Sequence, residues 1–230
     1  MDKRLLKIAE ITGCVNTVMD IGTDHGYLPV YLIENKKVQS AIVSDVSLES
    51  LNKANRLINS LGLSDKIESR EGGGFSILHD EDEIDVAIIA GMGGNLIASI
   101  LEDADSLIRQ KNIRLILQPM QNPEVLRKYL LDHSYYIKSE NLVQDDRFIY
   151  QIIEALPGGE NAQVYSELEL AFGKKTSYDE EALTNYMALL KNKKQNIELI
   201  IEKIKESDAS DKESIMDKYK NQIKLIEESL

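Results

Sequence analysis

The sequence predicts an α/β fold: a Rossmann-like, doubly wound, mainly parallel seven-stranded sheet carrying a C-terminal antiparallel helical hairpin of coiled-coil-like character. Three observations predict it. Short apolar runs alternate with amphipathic stretches over the first three-quarters of the chain. A loop with two glycines follows the first apolar run. Beyond Tyr178 glycine and proline vanish, and apolar residues recur at helical spacing.

Residues 18–21, 41–43, 86–90 and 115–117 are short, apolar and rich in β-branched side chains, as expected of strands buried on both faces. Residues 66–70 supply a further strand. Between these, residues 28–35, 47–61, 95–108 and 123–132 place apolar positions three and four apart, the mark of amphipathic helices. This βαβα order implies parallel strands with right-handed crossovers. Residues 135–140, 141–144 and 148–155 then read as strands, with Asp145-Asp-Arg147 as the turn of an antiparallel hairpin. Pro157-Gly-Gly159 ends the regular pattern, so the reading divides the chain into a nucleotide-binding-type domain over 1–160 and a helical domain over 161–230. In the latter, Leu183, Met187, Leu190, Ile197, Ile201 and Ile204 form one series, and Ile215, Tyr219, Ile223 and Ile226 a second. Ser207-Asp-Ala-Ser-Asp211 is the expected turn between two antiparallel helices.

With 43% hydrophobic and 29% charged residues, the chain is too apolar for disorder. No apolar run approaches the roughly 20 residues that span a bilayer, and Met1-Asp-Lys-Arg-Leu-Leu-Lys7 lacks a signal-peptide core, so a cytoplasmic location is expected. One cysteine, Cys14, excludes an internal disulfide and a cysteine-rich zinc site, and is expected to be a small, partly buried apolar residue. His25, His79 and His133 have no metal-ligand spacing, so no metal is expected. The formal charge of −12 argues against general affinity for nucleic acid, though not against a local basic patch.

The chemistry gathers at strand ends. The first strand runs into Asp20-x-Gly22-x-Asp24-x-Gly26, in which Gly22 permits a tight turn and a close backbone approach to a ligand. Asp24 stands where a dinucleotide loop has glycine, so the NAD pattern fails. Two carboxylates instead suit a ligand with a cationic amino-acid end, a description that S-adenosylmethionine fits. On spacing alone, capping of the next helix by Asp20 and Asp24 is the competing reading. Asp45, about twenty residues on, stands where such sheets place an acid on ribose hydroxyls; a turn role beside Val46 and the helix start is the alternative. Gly72, Gly73 and Gly74 leave room for a flat ring or form a mobile loop. Ala90-Gly91-Met92-Gly93-Gly94-Asn95 closes a central strand where a ligand crevice or close helix packing needs small residues. Gln118 and Gln121 offer amides toward a base edge, in a loop that two prolines also simply shape.

Taken together, Asp20-Ile-Gly-Thr-Asp-His-Gly-Tyr-Leu-Pro29, Ile89-Ala-Gly-Met-Gly-Gly94 and Leu115-Ile-Leu-Gln-Pro119 resemble the bacterial transfer-RNA adenine-22 N1-methyltransferase family, class I S-adenosylmethionine-dependent enzymes. The resemblance spans the α/β part, and the helical hairpin is similar too. It implies methyl transfer from S-adenosylmethionine to N1 of an adenine in the D-arm region of tRNA. By position, Asp20, Gly22, Asp24 and Gly26 then line the methionine end, Asp45 with Val46 the ribose, and the loop of Gly72 and Gly73 the adenine. Ala90, Gly91, Met92 and Gly93 line the cofactor, with the stretch from Gly91 to Asn95 bordering the target base. Asp24, His25, Tyr27 and Asn95 are the candidates for holding that base. One position departs: the family usually has Gly-Asp-Gly in the third loop, where Gly73 stands here, leaving a backbone carbonyl or Glu71 to meet the adenine amino group.

For RNA contact, Lys3, Arg4 and Lys7, then Arg109, Lys111 and Arg114, then Lys191, Lys193 and Lys194 are the basic clusters, with the hairpin expected to clamp RNA against the α/β domain. A monomer or weak dimer is expected. Methylation of a small molecule or protein, and a non-catalytic scaffold, are the competing functions at this point.

Overall fold

A computed structural model describes residues 1–159, 163–206 and 212–230. Strands β1 (Thr17–Ile21), β2 (Ser40–Asp45), β3 (Ile67–Glu71), β4 (Val86–Gly93), β5 (Arg114–Gln121), β6 (Tyr135–Asp145) and β7 (Phe148–Pro157) form one seven-stranded sheet in the order β3-β2-β1-β4-β5-β7-β6. The first five are parallel, while β7 runs antiparallel to both β5 and β6. Because β1 pairs with β2 on one side and β4 on the other, the strand order reverses at β1. Doubly wound sheets open a ligand crevice at such a point.

Helices α1 (Lys3–Thr12), α2 (Tyr27–Glu34) and α3 (Leu48–Ser60) cover one face, and α4 (Gly94–Gln110) and α5 (Pro123–Asp132) the other. The apolar strand runs divide between them. Met19, Ile89 and Leu117 meet Ile97, Leu101 and Leu126, while Val18, Ile88 and Ile116 meet Ile8, Leu32 and Ile58. Both faces of each central strand are buried, which is why those strands read as continuous apolar runs. Helix starts carry local instructions: the Asp2 carboxylate accepts from Leu5 N–H at 2.7 Å, Ser47 caps α3, and Pro123 opens α5.

The structure alters four expectations. The strand expected to stop at residue 90 continues to Gly93 through a bulge, because Gly91 takes φ +83° and lets β4 stay paired with β5 as far as Gln121. Residues 135–140 and 141–144 are one strand, β6, kinked by a bulge between Ile137 and Ser139. Helix α6 (Glu167–Phe172) was not expected; Ser166 and Glu169 form a reciprocal capping box at its start. Cys14 is exposed, contrary to the partly buried position expected.

Beyond α6, α7 (Glu180–Glu206) and α8 (Lys212–Ser229) pack around Tyr186, Leu190, Ile197, Ile201 and Ile226, and the Lys194 ammonium lies 2.7 Å from Glu227. The turn expected at 207–211 and the division expected at 160/161 lie outside the described residues. What ties this region to the sheet is a buried ionic network. Arg127 of α5, fully buried, donates to Glu140 of β6 at 2.6 Å, to Leu170 O at 2.9 Å and to Gln151 at 2.7 Å. The other Glu140 oxygen accepts from Lys174 N–H at 3.0 Å and Tyr165 O–H at 3.3 Å. Each donor and acceptor serves a different element, so α5, α6, β6 and β7 are locked at one point.

Breaking a buried pair by removing one partner costs far more than the pair's net worth, about 3–5 kcal/mol. Glu140→Ala is therefore expected to destabilise the protein by that amount in urea denaturation; a loss below about 1 kcal/mol would mean the network is dispensable.

Candidate functional site

At the carboxyl end of the sheet a cavity of about 630 Å³ opens between the ends of β1 and β2, the loop after β3, and α4. Its lining includes Gly22, Asp45, Val46, Gly72, Gly73 and Met92, all expected from the sequence. Three loops build this wall. The N–H groups of Gly22 and Thr23 both donate to Ser44 O, at 2.8 and 3.0 Å, tying the end of β1 to β2. Gly22 turns at φ +78°, and a Cβ there would collide with Met92 Cε. Gly72 N–H donates to Asp45 O at 3.1 Å, and Ser47 N–H donates to the Asp45 carboxylate at 2.7 Å. The loop is braced from behind by Arg70, whose guanidinium grips the Asp82 carboxylate and reaches Ile77 O at 3.0 Å. That grip holds the Asp82 carboxyl below its ordinary range.

Asp20 lies beside this wall rather than in it. Its carboxyl is buried on the α1 side of β1, bonded to the Thr23 side chain and within the field of Arg4, and burial pushes its pKa up to about 6. Asp24, His25 and Tyr27 form a separate exposed cluster at the start of α2. His25 Nε2 lies 3.0 Å from the Asp24 carboxylate, Lys53 reaches Asp24 at 3.5 Å, and the His25 and Tyr27 rings stack at 5.1 Å. Gly26 caps α2 at φ +71°, where a Cβ would press on Ala54. Asn95 is exposed in the first turn of α4. Gly93 precedes it as the cap, with open space around its Cα. Ala90 packs into the apolar cluster on the α1 side.

Two sequence expectations change. Gln118 is fully buried: its oxygen accepts from Arg4 at 2.8 Å and Gly91 N–H at 3.1 Å, and its amide donates to Pro119 O at 3.0 Å. It braces β4 and β5 and has no spare edge for a base. Arg109, Lys111 and Arg114 likewise serve the fold, at the opposite end of the sheet. Arg114 begins β5 and bonds Ile11 O, Thr12 O and Glu154; Lys111 bonds Asp80 O and Asp82 O; Arg109 pairs with Asp105.

The sequence reading missed the α4 wall, Leu96, Ser99, Ile100 and Asp103 among it, because these positions read as an ordinary amphipathic helix. Arg4, expected among the RNA-contacting residues, instead turns inward to Gln118. No sequence signal marks that turn, since Gln118 is 114 residues away.

The residues present suit S-adenosylmethionine. The cavity has the size of a small-molecule site. Its glycine cradle has no space for side chains at Gly22 and Gly72, Asp45 borders it, and Ser44 Oγ at the same strand end is buried without a partner among the described residues. Among the described residues no cluster of three or more His, Cys, Asp or Glu could hold a metal ion, and no helix is long and apolar enough to cross a membrane.

Asp20 links the site to stability. Its folded-state pKa lies above the ordinary 3.8, so the native state binds the extra proton between these values, and stability present below pH 4 is lost as pH rises through about 6. The loss amounts to about 3 kcal/mol. Asp20→Asn is expected to melt higher than the parent above pH 6, with the difference vanishing near pH 4; equal or lower melting at pH 7.5 would sink this account of burial.

The family model for tRNA (adenine(22)-N(1))-methyltransferase matches residues 18–228. The Bacillus subtilis (strain 168) tRNA (adenine(22)-N(1))-methyltransferase is 34% identical over 173 residues, 75% of this chain and 71% of that relative. The crystal structure of the B. subtilis m1A22 tRNA methyltransferase TrmK superposes with a TM-score of 0.86 at 27% identity, covering 99% of this chain and 97% of that one. The structure of M. capricolum TrmK in complex with S-adenosyl-homocysteine superposes with a TM-score of 0.84 at 28% identity, covering 100% and 97%. With its fold and nearly its whole length matched, this chain belongs to the tRNA (adenine(22)-N(1))-methyltransferase family.

Proposed function

We propose that this chain methylates N1 of adenine 22 in tRNA with S-adenosylmethionine as donor, acting as a cytoplasmic monomer or weak dimer. The observation that carries the reading is the cavity at the reversal of strand order, lined by Gly22, Asp45 and the loop of Gly72 and Gly73, in a chain of this family. Asp20, Gly22, Asp24 and Gly26 would hold the methionine end of the cofactor, Asp45 and Val46 the ribose, Gly72 and Gly73 the adenine, and Ala90, Gly91, Met92 and Gly93 the remaining wall. When bound, the cofactor supplies an electrophilic methyl group on a sulfonium.

The chain's own task is positioning. Adenine N1 carries a lone pair at neutral pH, so no strong general base is required, and orientation supplies most of the acceleration. The base must leave its stack and be held by an aromatic face and polar edges. Tyr27, 53% exposed with His25 stacked on it, provides the face; Asp24 and Asn95 provide the polar groups. The helical region over 161–230, with Lys191 and Lys193 exposed on α7, would hold the tRNA against the sheet. Lys194 contributes less, being paired with Glu227 and Glu198.

Incubation with labelled S-adenosylmethionine and unmodified tRNA, followed by mapping of the modified nucleoside, is expected to yield 1-methyladenosine at position 22; label in any other nucleoside, or none, would defeat the reading. Gly73 offers a second check. Its φ of −103° accepts a side chain, and a Cβ would meet only Val46 Cγ1, at 3.3 Å. Gly73→Asp, restoring the family's acid, is expected to tighten cofactor binding about tenfold in calorimetry, the scale of one hydrogen bond to a charged group. Unchanged affinity would show that the adenine amino group is met elsewhere.

A further inference from the structure

The turn between β6 and β7 carries an aromatic pair that the core does not use. Phe148 is 50% exposed and belongs to none of the three buried apolar clusters. Its ring lies 6.2 Å from that of Tyr150, two residues on and therefore on the same face of the strand. Both rings carry a guanidinium: Arg147 stands 5.0 Å from the centroid of Phe148 and Arg4 stands 5.6 Å from that of Tyr150.

The tip also sits at the edge where the reaction would occur. Strand β7 runs antiparallel to β5 with Leu117 opposite Ile153, so by register Phe148 lies level with the outgoing end of β5 or beyond it. Arg4 joins the two directly, through the Tyr150 ring on one side and Gln118, which also holds Gly91 N–H, on the other. The surrounding charge is balanced. Lys3, Lys7, Arg4 and Arg147 face Asp2, Glu10, Asp145 and Asp146, with Lys7 bonded to Glu10 at 2.8 Å and Lys3 N–H to Asp145 at 3.1 Å. Such a patch attracts phosphates weakly, whereas the exposed Phe148 ring, beside the half-buried Tyr150 ring and with a guanidinium against each, suits the face of an unstacked base.

We propose that the Phe148 and Tyr150 rings, with Arg147 and Arg4 held against them, form a stacking platform for an unpaired base of the RNA beside the one that is methylated. This rests on the tRNA methyltransferase reading above. In a chain of net charge −12, stacking is a contact that does not require neutralising phosphates.

The test uses the full chain and unmodified tRNA. Phe148→Ala is expected to raise KM for tRNA about 5- to 100-fold, the range of one lost base stack, by nearly the same factor at low and high salt. Cofactor affinity and melting temperature should stay at parent values, and Phe148→Trp should restore KM. A parental KM in Phe148→Ala, a defect that vanishes at high salt, or an equal loss of cofactor affinity would each overturn the platform. If the parent enzyme itself makes no 1-methyladenosine, the function reading fails; an active parent with an indifferent Phe148→Ala condemns the platform alone.

Discussion

The two hydrogen bonds from Gly22 and Thr23 to Ser44 O set the geometry on which the site depends. They hold the chain leaving β1 against the end of β2 at the point where the sheet order reverses, so the crevice is framed by backbone rather than by mobile side chains. Glycine at 22 follows from this closeness, since Met92 fills the space a Cβ would need. Asp20, two residues earlier in β1, is buried beside the same turn. Burial there holds the carboxyl above its ordinary range, so it opposes folding at neutral pH. Sites commonly store such local instability where function needs it.

A second lock, Arg127 with Glu140, does for the helical region what the Ser44 carbonyl does for the crevice. A buried ion pair is a poor source of net stability compared with apolar packing. Its value here is directional. Four polar partners from α6, β7 and the segment on either side of α6 are satisfied at once, and misalignment of any of them leaves a buried charge exposed to its full penalty. The entry of α7 onto β6 is then fixed from this lock by Asn185, whose amide donates to Leu142 O at 3.0 Å.

The central strands and the helices between them were legible because burial on one or both faces leaves a period in the sequence. Boundaries at residues 28–35 and 47–61 differ from α2 and α3 by one residue at each end. What had no period was not legible. The extension of β4 depends on one backbone angle at Gly91, and the single strand β6 on a bulge that breaks alternation. Helix α6 did leave a signal, Ser166 three residues before Glu169, in a stretch too short for periodicity. Of the residues that line the cavity, Gly22, Asp45, Gly72 and Gly73 at strand ends were readable because few residue types fit there. The α4 wall and the inward turns of Arg4 and Arg114 depend on partners far away in sequence, where composition says nothing about direction.

Charge explains how an acidic protein of this family can handle RNA. Of its 27 basic side chains, several that sequence alone offers for RNA contact are already spent on carbonyls and carboxylates of the fold. Large apolar or aromatic side chains face solvent near the carboxyl edge as well, with Tyr27 53%, Val46 74%, Leu96 53%, Met120 49% and Phe148 50% exposed. A rim of that kind would hold the substrate through base faces and shape, after a duplex has opened, rather than through its backbone. Discrimination would then fall on which bases can be unstacked, a property of the RNA's own structure.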